Sequence, residues 1–95
     1  MKSKTADIIY GQMLQTTPQQ VSNAALLIMN AIQGDKVCNQ MLGIAAALIC
    51  MLHQYELNHI DVLGIADNMV YSDFNNNMKS DFKAIQNYMK NEWEI

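Results

Sequence analysis

Cys50 and His53 stand three residues apart, and Glu56 and His59 follow, so four side chains able to hold a metal or move a proton lie within ten residues. A thiol and an imidazole at i and i+3 share one helix face, the spacing that a Cys-His nucleophile or half of a zinc site would use. Zinc sites usually bring their ligands as two close pairs, whereas this cluster has one thiol and no second pair. A nucleophile also needs an oxyanion hole and a third group to orient its base, and the sequence shows neither. The other thiol, Cys38, stands near a helix N-terminus beside Lys36, where dipole and charge favour thiolate, but burial beside Val37 would reverse that. There is no glycine-rich phosphate loop and no usable Ser-His-Asp order. These patterns predict a protein that is not an enzyme and that takes no metal and no cofactor.

The elements that would carry these side chains are helices. Apolar positions follow helical spacing nearly everywhere, and no stretch alternates with the period of two of a half-buried strand. The expected fold is all-α, a compact bundle of four to five helices forming one domain over residues 1–95. A first helix runs from Thr5 as N-cap to Gln15, with Ile9, Tyr10, Met13 and Leu14 inward. The second has the clearest start: Thr17 as N-cap, Pro18 at the first helical position and Gln20 at the capping-box position. It ends at Gly34. Its expected core stripe is Val21, Ala24, Ala25, Ile28, Ala31 and Ile32, opposite Gln19, Ser22, Asn23, Asn30 and Gln33, with Leu26 inside the polar face.

Asp35 is expected to cap a third helix that reaches Tyr55 and has no charged residue after Lys36. One stripe is Val37, Met41, Ile44, Leu48, Met51 or Leu52, and Tyr55, and a second apolar row is Leu42, Ala45 and Ile49. The third side starts with Lys36, Asn39 and Gln40, then gives way to a small-residue groove of Gly43, Ala47 and Cys50. A helix apolar all round is expected to be buried, and Cys38 and Cys50 with it, as thiols in a reducing compartment. Their twelve-residue separation on one helix, about 18 Å of rise, forbids a bridge between them. Asn58 and Asp61 open a fourth helix to about Ser72, with Ile60, Leu63, Ala66, Met69 and Val70 inward. A loop of Ser72, Asp73, Asn75, Asn76 and Asn77 precedes or caps a last helix, about 76 to 93, whose stripe is Met78, Phe82, Ile85, Met89 and Trp93.

Charge narrows the function. The chain has a net charge of −3, six lysines and no arginine, which removes the preferred side chain for phosphate and guanine. A nucleic-acid partner is not expected. The alternative, a helix-turn-helix DNA-binding regulator over Met51 to Tyr71, would present Asp61, Gly64, Asn68 and Tyr71 to DNA, with Asp67 beside them. A second alternative is a small-ligand-binding helical protein with a pocket near Cys50, His53 and Tyr55, but no convergent polar set supports it. The longest run free of polar side chains, Met41 to Leu52, is too short to cross a bilayer, and no apolar core follows Lys2 and Lys4 as in a signal peptide. A cytoplasmic protein without a membrane partner is expected. The lysine, asparagine and isoleucine content fits an AT-rich coding sequence, as in a bacterium or phage of low GC content.

Between Ile8 and Tyr55 the ionised residues are Asp35 and Lys36 alone. A five-helix monomer could bury one all-apolar helix, but hardly the second helix as well. The expectation is therefore a homo-oligomer, most simply a two-fold dimer, with Leu26, Leu27, Met29, Asn30, Gly43, Ala47 and Cys50 at its interface. The favoured function is a small interaction protein that self-associates and acts on another protein as an adaptor, inhibitor or accessory factor.

Overall fold

Five α-helices make up the computed structural model, which describes residues 4–71 and 78–92: α1 Lys4–Gln15, α2 Pro18–Ile32, α3 Val37–Gln54, α4 His59–Val70 and α5 Ser80–Glu92. The fold is all-α, as expected. Among the described residues there is no strand, only an isolated antiparallel bridge between Tyr71 and Met78. The expected loop at Ser72, Asp73, Asn75, Asn76 and Asn77 and the inward position of Trp93 lie outside the described residues.

Local chemistry sets the helix ends. Thr17 caps α2 through a reciprocal box, its hydroxyl accepting from the Gln20 N–H at 3.2 Å and its own N–H donating to Gln20 Oε1 at 3.0 Å. Gly34 turns the chain out of α2 at φ 96°, a conformation open to glycine without steric cost. The N-cap of α3 is Lys36, one residue later than expected, and it makes no side-chain cap bond. Asp35 acts from one position earlier, its Oδ1 accepting from the Lys36 N–H at 2.8 Å and from Asn39 Nδ2 at 3.1 Å.

Helix α3 ends in a Schellman turn, in which the Leu57 N–H donates to the Leu52 carbonyl at 2.9 Å and the Glu56 N–H to the His53 carbonyl at 3.4 Å. Glu56 occupies the left-handed position of that turn at φ 56°, where glycine is usual. Asn58 then caps α4, its Oδ1 accepting from the Ile60 N–H at 2.7 Å.

Packing departs from the expected compact bundle. The principal helix contacts are α2 on α5 and α1 on α4, and α3, the most apolar helix, takes part in neither. The chain spreads over 43 × 32 × 19 Å with a radius of gyration of 14.5 Å, where about 12 Å suits a compact chain of this length. Its thinnest dimension holds about two helix layers, since packed axes lie 8–10 Å apart. Among the described residues, the buried apolar side chains are Ala6, Leu52 and Phe82.

Two helices are turned from their expected orientation. In α2 the inward residues are Pro18, Val21, Ser22, Ala25, Met29 and Ile32, while Ala24, Ile28 and Ala31 are exposed, a rotation of about a quarter turn at 100° per residue. The cause is α5: its Ser80, Asp81, Ala84, Ile85 and Tyr88 face Gln19, Ser22, Asn23 and Leu26 across one groove. Ser22 is thereby buried, its hydroxyl satisfied by donating to the Gln19 carbonyl at 3.0 Å. In α4 the inward row includes Val62, Ile65, Ala66 and Met69, set against Met13 of α1 and Val21 of α2. Ile60 and Leu63, expected inside, face out.

Candidate functional site

The feature that stands out is the surface of α3. Of its residues, 11% are buried, so the expectation that this helix and its thiols are enclosed is overturned. Val37, Ile44, Leu48 and Leu52 point inward, together with Gln40, which was expected on the polar side. Gln40 is 4% exposed. Its Nε2 donates to the Ile32 carbonyl at 3.0 Å, and its Oε1 has no partner. On the other faces Met41, Leu42, Ile49 and Met51 are open to solvent, and so are Cys38 and Cys50. The physical reason is the number of neighbours: α3 takes part in neither principal helix pairing, so the inward row from Val37 to Leu52 is covered and the rest is left bare.

The expected interface residues divide between two helices. On α2, Leu26, Leu27 and Asn30 line a shallow depression together with Asn23, and Leu27 is 71% exposed. Met29 is half-buried on the inner side of α2 instead. On α3, Gly43, Ala47 and Cys50 are exposed, and a Cβ placed on Gly43 meets nothing within 4 Å. Within one chain these three residues face open space.

A second depression, of about 600 Å³, opens between α3 and α4. Apolar side chains line it, Ala45, Ile49, Leu52 and Leu63 among them, with His53 and His59. The second apolar row of α3 supplied half of the signal for this groove. The outward turn of α4, which adds Leu63, was not legible in the sequence.

The candidate chemical cluster does not assemble. Among the described residues, no three His, Cys, Asp or Glu side chains are grouped to hold a metal ion. Cys50, His53, Glu56 and His59 are all exposed. Asp35 is the group with a distinct electrostatic environment: the Asn39 side chain and the Lys36 N–H hold its carboxyl below the usual carboxylate range. On α4 the exposed residues include Ile60, Leu63, Asp67 and Asn68, an apolar and acidic set without a lysine.

By length and composition α3 could cross a membrane, with 18 residues at a mean hydropathy of 1.4. It extends beyond the polar-free Met41 to Leu52 run because Asn39, Gln40, His53 and Gln54 are uncharged. Compared with known protein families, curated proteins and solved structures, the chain matches none of them.

Proposed function

We propose that this chain is a small, non-enzymatic, cytoplasmic interaction protein that self-associates through its apolar helices and acts by binding another protein, as an adaptor, inhibitor or accessory factor. One observation supports it above all. Large apolar side chains of α2 and α3 stand open to solvent within one chain: Leu27 is 71% exposed, Met41 66% and Leu42 71%, and uncovered apolar surface of this kind marks a contact site. Much of the exposed apolar surface comes from α2 and α3, through Leu26, Leu27, Ile28, Met41, Leu42, Ile49 and Met51.

On this reading Leu26, Leu27 and Asn30 of α2, with Gly43, Ala47 and Cys50 of α3, form contact surface, and Met29 supports it from beneath. Asn23 and Asn30 beside Leu26 and Leu27 suit a protein interface, where amides find hydrogen-bond partners, better than hydrocarbon. Capture from host extract tests the reading, with the wild-type chain and Leu27→Asp as paired baits. The expected result is a protein held in stoichiometric amount by the wild type and lost by the variant. Equal recovery on both baits would rule out the α2 surface.

A further inference from the structure

We infer that two copies of this chain meet along α3, antiparallel, about a two-fold axis passing between Ala45 and Ala46, leaving the Leu26–Leu27 surface free for a different protein. This rests on the self-association reading and adds the place and register of the contact.

The stripe concerned is Cys38, Leu42, Ala45 and Ile49, which recur at the alternating spacings of four and three that keep one seam facing a partner helix. All four are exposed, Leu42 by 71% and Ile49 by 64%. At the middle of the stripe stand Ala45 and Ala46, whose short side chains let a second helix axis approach closely.

An axis at that point is self-consistent. Leu42 lies as far before it as Ile49 lies after it, so Leu42 of each copy is set against Ile49 of the other. Ile49 also lines the groove between α3 and α4, so each copy offers a projecting leucine and a hollow to receive one. That reciprocity is what a two-fold contact requires.

The choice of a second copy over other occupants follows from charge. Between Val37 and Gln54 there is no Asp, Glu, Lys or Arg, so the stripe offers nothing to steer or hold a charged partner. An identical uncharged helix meets it without repulsion. A bilayer fits less well, because one side of α3 is turned to its own chain through Val37, Gln40, Ile44, Leu48 and Leu52, and the polar amide of Gln40 on that side is tied to the Ile32 carbonyl of α2.

The test is sedimentation equilibrium on the full chain. Wild type is expected to be a dimer, and Leu42→Lys or Ile49→Glu alone to weaken it about a hundredfold or more by burying an unpaired charge. Combining Leu42→Lys with Ile49→Glu in one chain should recover most of the lost affinity, because the axis sets each introduced cation against an introduced anion twice. Circular dichroism checks that each variant stays helical; if a single variant unfolds, Leu42→Ser and Ile49→Ser replace the charged pair as the test of location. A wild-type dimer that Leu42→Lys leaves intact would overturn the α3 contact while sparing self-association. Single variants that dissociate and a double variant that does so equally would overturn the antiparallel register. A wild-type chain that stays monomeric, alone or bound to phosphatidylcholine vesicles, would overturn both this contact and the reading beneath it.

Discussion

The side-chain amide of Gln40 reaches across the α2–α3 turn and donates to the carbonyl oxygen of Ile32 at 3.0 Å. It ties the start of α3 to the end of α2, eight residues earlier, while its own Oε1 remains buried without a partner. Gln40→Ala should cost about 2–3 kcal/mol, through the lost bond and the space left behind. Gln40→Met keeps the length and removes the unpaired oxygen, so its cost should stay within about 1 kcal/mol. Urea unfolding midpoints decide this, and an Ala variant as stable as the wild type would mean that the bond braces nothing.

Much of the fold was legible at the helix ends. Thr17, Pro18 and Gln20 declare α2, and Asn58 declares α4, because capping depends on a few adjacent residues and the chain states it locally. The inward faces were less legible. Ser22 reads as polar surface from its own helix, and it is buried because α5, some sixty residues later, lies against it. Ile60 and Leu63 read as core and face out for the converse reason, since α1 and α2 take the Val62–Ile65 side of α4. Of the residues expected at a contact between copies, Leu26, Leu27 and Gly43 lie at the surface of the single chain, whereas Met29 turned inward with α2.

Glu56 holds the left-handed position that ends α3 at φ 56°, a conformation that costs a residue bearing a Cβ about 1 kcal/mol or more relative to glycine. Glu56→Gly should therefore stabilise the protein by about 0.5–1 kcal/mol and raise its melting temperature by a few degrees. Calorimetry checks it. A lowered melting temperature would mean that the Schellman turn is not formed.

Gly43 lies within α3 in open space. Gly43→Ala removes backbone freedom from the unfolded chain without meeting a neighbour, and should stabilise the fold by about 0.5–1 kcal/mol. Loss of helicity in this variant would show that something packs against the glycine.

Asp35 gives a pH signature. Its folded-state pKa lies below the ordinary value of 3.8 because Asn39 and the Lys36 N–H bond the carboxylate. A depressed value means that the contribution is fully present above the unfolded pKa and fades as pH falls through the folded one. Comparing Asp35→Asn with the wild type from about pH 6 down to pH 2, the wild type's advantage in melting temperature should shrink below about pH 4. A difference that stays flat across that range would mean that the carboxylate is not bonded as described.

The most direct measurement is the mass of the wild-type chain in solution, by sedimentation equilibrium at tens of micromolar. An open, two-layer fold with this much uncovered apolar surface should appear at twice its 10.7 kDa chain mass, with dissociation on dilution. A single species of 10.7 kDa at every concentration would contradict it, and would leave the exposed faces of α2 and α3 without the role proposed for them.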